Sequence, residues 1–457
     1  ALPIYDSHSR SYTQTNGGLV ITAEQQGWSN EELEKKAARA ARIKPSGGEV
    51  FLPELLKKAG YVTGQFGKLE WGFTTWHGEL KRHGWDRYVG YMDHQRAHGY
   101  YPSFLWKDGE RLPLPGNTHA DGGKTPEIYG PGATEKRRGN RDGKVTYAPD
   151  AMLAETLKFM EENRNRPMFI LFSTNLPHGP VDIPPAENKY AGHPAIRQAY
   201  AGAAGGNREC AGAAEEYASM VDKLDRQVGA ILAQVHKLGL EKRTIIVFSS
   251  DNGHELYYRT DKERGRGLNC HGGVLDGTGE LLDVFRGSRG LIGQKNAMVN
   301  LAGLKWTNHE GGIRVPLIVS WPGTVPHGKV CRSLVANYDH MATFAELAGV
   351  GMPEGKDSVS YKNMLFGKPS SQRDYVVVDH TVITGDGWKL THKQDKWLLF
   401  QISSDPEERH NLAETRKDQL ERLQAIYRKE AGSPRKDRQK PEQPRKTALF
   451  PPLAFAG

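Results

Sequence analysis

The chain has 457 residues, enough to bury a large core and to form two domains or one domain with a smaller appendage. Hydrophobic residues make up 37% of it and charged residues 25%, which excludes a disordered chain; no apolar run is long enough to span a bilayer. The formal charge of +8 suits an anionic substrate, while no nucleic-acid motif accompanies it.

Ala1 is followed by no charged-then-apolar leader, so no targeting segment is read at this end. Leu52 to Ala59 reads as a short helix stopped at Gly60, and Tyr61 to Phe66 as a strand. Ala151 to Asn163 has helical spacing, and Pro167 to Ser173 is an apolar run of the kind found in buried parallel strands. The clearest helix starts at Glu215: Tyr217, Met220, Val221, Leu224, Val228, Ile231, Leu232, Val235 and Leu238 recur at three-to-four spacing, and Gly239 ends it. A second strand follows at Thr244 to Ser249 and, after a Gly-rich polar insertion (Tyr258 to Ala302), a third at Val315 to Ser320. Strands separated by helices of this length predict parallel pairing through right-handed crossovers and an α/β fold, a mostly parallel sheet flanked by helices.

Beyond Asp339 a helix to Ala348 leads into short strands at Tyr375 to Val378 and Trp397 to Gln401. The expected organisation is a catalytic α/β domain over 1–335, a smaller C-terminal α+β subdomain over 336–428 and a tail over 429–457. From Lys429 to Lys446 seven Lys/Arg stand against three Asp/Glu, a surplus of four (7 − 3), among Pro and Gln; this is a solvated basic tail. Cys210, Cys270 and Cys331 are too widely spaced for a disulfide framework or a zinc site.

In open parallel sheets, ligands gather at the carboxyl ends of strands. Three polar clusters sit at such ends: Gly67-Lys68-Leu-Glu70, Asn175-Leu-Pro-His178 and Ser250-Asp251-Asn252-Gly253-His254. Asp251 and Asn252 offer two hard oxygen ligands on a tight turn, which suits Ca²⁺ or Mg²⁺. Lys68 and His178 would stand beside them as cation and proton donor for a transferring anion. Singly, Asp-Asn-Gly is a turn and a loop histidine is solvated; joint placement at strand ends carries the reading.

The segment Phe51 to Lys68 resembles the sulfatase stretch leading into its Gly-Lys-Trp-His motif. His83-Gly-Trp-Asp86, His98-Gly-Tyr-Tyr-Pro102, Pro177-His178, Thr244 to Gly253, Glu310-Gly-Gly-Ile-Arg-Val-Pro316, Trp321-Pro-Gly323 and Asp405 to Leu412 are similar to that family in the same order. The resemblance implies the alkaline-phosphatase-like fold, with Asp251 and Asn252 as ligands of a divalent cation, usually calcium. It further implies that Lys68, His178 and Lys305 contact the sulfate, the last two neutralising the leaving oxygen. Glu70, His98 and His254 are implied nearer the sugar. Glu310 and Arg314 are expected as a buried ion pair anchoring the loop before the third strand. A sulfated glycan or small sulfate ester is the implied partner, and a periplasmic or secreted location the implied compartment; the sequence is silent on oligomeric state.

Two departures stand out. The family's Cys-x-Pro-Ser-Arg or Cys-x-Ala-Arg motif, whose Cys or Ser becomes formylglycine, does not occur in this sequence. Asp6-Ser-His-Ser-Arg10 shares only the Ser-Arg ending, and Leu2-Pro-Ile4 fits the stretch just after the nucleophile helix. The expectation is therefore a chain that starts downstream of the formylglycine site and of a first strand bearing an Asp-Asp metal pair. Glu70 stands where the family usually has His, and would repel sulfate unless metal-bound, protonated or turned toward a sugar hydroxyl. Other readings are a phosphodiesterase or phosphonate hydrolase of the same superfamily and a non-catalytic binder of sulfated glycans.

Overall fold

A computed structural model describes residues 26–40, 50–68, 77–92, 96–118, 121, 143–179, 181–201, 208–253, 267–268, 274–275, 281–282, 301–302, 305, 308–368, 373–393 and 396–431. In chain order the first elements are α1 (Asn30–Ala40), α2 (Leu52–Lys58), β1 (Val62–Lys68), α3 (His77–Arg82), β2 (Arg87–Tyr91), β3 (Phe104–Lys107) and β4 (Glu110–Pro113). Next come α4 (Ala148–Glu162), β5 (Met168–Ser173), α5 (Pro194–Ala201), α6 (Arg208–Lys237) and β6 (Ile246–Ser249). Three short strands, β7 (Gly267–Leu268), β8 (Val274–Leu275) and β9 (Leu281–Leu282), precede α7 (Glu310–Ile313) and β10 (Leu317–Ser320). The C-terminal part holds α8 (Asp339–Ala348), α9 (Lys362–Leu365), β11 (Tyr375–Val378), β12 (Thr381–Thr384), β13 (Trp388–Lys393), β14 (Lys396–Gln401) and α10 (Lys417–Ala431).

Five strands form one sheet in the order β4-β3-β2-β1-β5. The α/β expectation holds at its centre, where β1 runs parallel to β2 and to β5. β3 and β4 extend that sheet antiparallel, so it is mixed. Phe66, Val89 and Leu105 from the strands meet Ala148, Met152 and Phe159 of α4 in its core. α6 covers the next part: Val235 packs with Met160 and Leu240, against which Met168, Ile170 and Ile246 lie. β5 and β6 thus share one helical layer.

The third strand differs from the sequence reading. β10 pairs with β6 antiparallel, Leu317 opposite Ser249, in a separate two-stranded sheet. The chain returns to β10 through the long insertion and the short turn α7, and no covering helix among the described residues forces a parallel crossover. α6 also departs in detail: it begins at Arg208, and Val221 (41%) and Leu232 (43%) of its apolar series are exposed. Lys223 is buried instead, held by Asp150 at 2.6 Å and Glu187 at 2.8 Å.

In the C-terminal part β11-β12-β13-β14 form an antiparallel sheet. Val382, Leu390 and Leu399 of that sheet bury Leu423 of α10. No helix among the described residues is long and apolar enough to cross a membrane.

A candidate anion and cation site

β1 delivers Lys68 at its carboxyl end. The Lys68 carbonyl accepts hydrogen bonds from Ser173 Oγ (2.8 Å) and Gln65 Nε2 (3.2 Å), so the strand end is pinned to β5. Gly67 has φ 132°, and a Cβ there would lie 2.0 Å from the Ser173 carbonyl oxygen. Only glycine lets the two strands close at this point.

The Asp251-Asn252-Gly253 turn leaves β6 beside it. Ser250 Oγ donates to the Asn252 carbonyl (2.9 Å), and Asn337 Nδ2 donates to the Ser250 carbonyl (3.2 Å). Gly253 N–H donates to the Gly312 carbonyl (2.8 Å), and a Cβ on Gly253 would come within 1.9 Å of the Gly311 oxygen. Lys68 Nζ lies 3.0 Å from Asp251 Oδ2. Burial would raise the Asp251 carboxyl, but the Lys68 charge and hydrogen bond, with a smaller contribution from the Lys305 charge, help to hold it below the usual carboxylate range. The carboxylate is therefore ionised at neutral pH.

Asn252 supplies the test of a hard cation. Its Nδ2 donates to the Gly253 carbonyl (2.8 Å), while Oδ1 is buried with no hydrogen-bond partner among the described residues. A buried acceptor left alone is costly, and a cation beside an ionised carboxylate would satisfy it. The pair fits part of a Ca²⁺ or Mg²⁺ site. Two ligands fall short of the roughly six to eight that Ca²⁺ takes, and among the described residues no group of three His, Cys, Asp or Glu converges.

The third loop carries His178 after the cis Leu176–Pro177 peptide. His178 N–H donates to the Asn175 carbonyl (2.8 Å), and Tyr100 O–H donates to the carbonyls of Asn175 (3.0 Å) and His178. His178 Nδ1 stands 2.5 Å from the Gly179 carbonyl, so the proton belongs on Nδ1. Nε2 then accepts from Lys305 Nζ at 3.0 Å. Lys305 is 1% exposed and His178 is 9% exposed.

Lys68 is thus brought against Asp251, with Asn252 next to it in the same turn, and Lys305 against His178. His98 lies beside His178: it is 4% exposed and its ring centroid is 4.4 Å from that of His178. Glu70 and His254 lie outside the described residues, as do Asp6 to Arg10 and Leu2 to Ile4. The expected buried Glu310–Arg314 pair needs correction. Arg314 is 58% exposed at its side chain and 3.4 Å from Glu310, while the buried partner of Glu310 is Lys389 at 3.0 Å. Sequence reasoning also passed over Tyr100 and Asn175 as props of His178; only their place in motif-like stretches marked them. A cleft of about 2210 Å³ touches Asp251 and Asn252 and runs along β10 toward β11.

Comparison with known proteins puts this arrangement in context. The family profile Sulfatase matches residues 12–350, and the profile N-sulphoglucosamine sulphohydrolase, C-terminal, matches residues 305–431. The dog N-acetylgalactosamine-6-sulfatase is 26% identical over 310 residues, covering 67% of this chain and 46% of that protein. The Bacteroides thetaiotaomicron N-acetylgalactosamine-6-O-sulfatase is 26% identical over 226 residues, 45% of this chain and 39% of that protein. The chain therefore spans less than half the length of these two relatives. Among solved structures, one concerned with glycosaminoglycan metabolism by Bacteroides thetaiotaomicron superposes with a TM-score of 0.59 at 20% identity, covering 84% of this chain and 82% of that one. Another, in complex with D-glucosamine-2-N,6-O-disulfate, gives 0.56 at 17% identity over 94% and 89%. At these identities the superpositions establish the fold.

Proposed function

The chain belongs to the sulfatase family, and from that premise we propose that it serves a sulfuric ester hydrolase acting on a sulfated carbohydrate. The observations that carry the reading are two 3.0 Å contacts, Lys68 with Asp251 at the ends of β1 and β6, and Lys305 with His178 in the loop after β5. Two ammonium groups against one carboxylate leave a surplus positive charge, which suits a sulfate. The names of the dog and Bacteroides thetaiotaomicron relatives favour a sulfated amino sugar as the carbohydrate.

In this reading Lys68 and Lys305 hold the sulfate oxygens, and Lys305 neutralises the oxygen that leaves with the sugar. His178, its Nδ1 proton committed to Gly179, orients Lys305 through Nε2 and takes or returns a proton there. His98 backs His178 and fixes its ring. Asp251 and Asn252 would hold Ca²⁺, or Mg²⁺ as the other hard cation, which when bound withdraws charge from the sulfate oxygens. The sequence has no formylglycine motif, so no step of attack on sulfur is assigned to its residues.

The cationic pair Lys68 and Lys305, with His178, also suits a second reading, a binder that retains sulfated glycans without cleaving them. Incubating the full protein with calcium and sulfated amino-sugar disaccharides, and following free sulfate, decides between the two. Sulfate release supports hydrolysis; saturable binding with no release supports the binder. Faster turnover of matched phosphate diesters would sink both in favour of a phosphodiesterase.

A further inference from the structure

Outside the proposed site the most unusual polar cluster is buried between α7 and the C-terminal sheet. Lys389, in β13, is 0% exposed. Its Nζ lies 3.0 Å from Glu310 Oε1 and 2.6 Å from Glu408 Oε1. An unpaired ammonium at such a place would be prohibitive, and the two carboxylates are what allow it to remain charged. His309 Nδ1 meets the other Glu408 oxygen at 2.5 Å, and the Glu310 N–H also points at it (3.4 Å). Glu408 adopts φ 50°, a left-handed conformation that a non-glycine residue keeps only when its surroundings demand it. The chain accepts that strain to aim this carboxylate inward.

Glu310 opens the turn that reaches the proposed site from two directions. Gly311 N–H donates to the Ala302 carbonyl (2.7 Å), closing the base of the segment that carries Lys305. The Gly312 carbonyl accepts the Gly253 N–H (2.8 Å), holding the turn that carries Asp251 and Asn252. The backbones touch so closely there that no side chain fits at Gly253. We propose that Lys389 is a positioning residue of the sulfate site: held between Glu310 and Glu408, it locks the C-terminal sheet to the turn that sets both Lys305 and the Asp251–Asn252 pair. Lys389 touches no substrate and acts through that turn. The proposal rests on the functional reading above for its consequence, but its mechanical part does not.

The test compares Lys389→Met, Lys389→Arg and Glu408→Gln with the unaltered chain by hydrogen exchange and calcium titration. In Lys389→Met, amide exchange at Gly253 and across 308–314 rises about tenfold and the calcium Kd rises about tenfold, while exchange in β12 and β14 is unchanged. Lys389→Arg, which keeps the charge, recovers most of both. If Lys389→Met does not fold, Glu408→Gln gives the same pattern in weaker form. Faster exchange confined to the C-terminal sheet, with the Gly253 amide as slow as before, overturns the proposal and leaves Lys389 as a simple core residue. Failure of the unaltered chain to bind calcium or sulfate esters would refute the functional reading instead, while the Gly253 amide still reports on the lock.

Discussion

Lys305 is the residue on which the proposed chemistry turns, because it is buried and meets His178 Nε2 at 3.0 Å. Lys305→Met is expected to lower kcat for sulfate-ester hydrolysis by about 10²–10³-fold, the loss typical of a removed charge-stabilising donor, with a smaller change in KM. Steady-state kinetics on the full protein check this. Asp251 is the other decisive group. With the Asn252 Oδ1 beside it unpartnered among the described residues, Asp251→Asn should weaken calcium binding by about tenfold or more, read by titration calorimetry. These residue types were legible in advance: an Asp-Asn-Gly turn and lone Lys and His at strand ends are visible as patterns. That Nε2 of His178 would face Lys305, 127 positions away, was not, since no local period encodes it.

Among the elements, the close approach of two turns is the most sensitive feature. Gly253→Ala would drive a Cβ to 1.9 Å from the Gly311 oxygen and should cost about 1–3 kcal/mol, the usual range for overpacking, measurable by chemical denaturation. Glu408 sets a pH dependence for the joint between α7 and β13. Burial works to raise its carboxyl, but the His309 hydrogen bond and the Lys389 charge outweigh this and keep it below the usual range. A depressed folded-state value contributes stability above the ordinary Glu value of about 4.3, lost as pH falls further. The midpoint difference between the unaltered chain and Glu408→Gln should therefore shrink on acidification below about pH 4, as thermal melts across that range would show. Short strand-like or apolar stretches mark β1, β5 and β11 in the sequence to within two residues at either end. The pairing of β10 was misread because direction depends on the path of a connection, which an apolar run does not record.

Across the whole molecule, cation binding should couple to folding. If calcium binds the native site alone, saturating it at 100 times its Kd adds about 2.7 kcal/mol of stability, and a calcium titration followed by thermal melting tests this; no shift would count against the site. The mixed sheet and the α4–α6 layer carry the strand ends that lead into the Lys68, His178 and Asp251 loops, and the C-terminal sheet reaches α7 through the Lys389–Glu310 contact. A sulfated ligand held by those loops should bind more weakly as salt rises only to the extent that its charges remain exposed.

The amino-acid order alone determined where helices and strands form and which motifs stand at their ends, because burial on one face leaves a local repeat and turn chemistry is set by neighbours in the chain. It also carried the family resemblance, which is a matter of motif order. Only the tertiary structure decided which charge meets which. Lys68 lies against Asp251, Lys305 against His178, and Lys389, not Arg314, against Glu310. Electrostatic and hydrogen-bond partners are chosen by distance in space, and a buried charge takes whichever opposite group the packing of separate elements brings within reach.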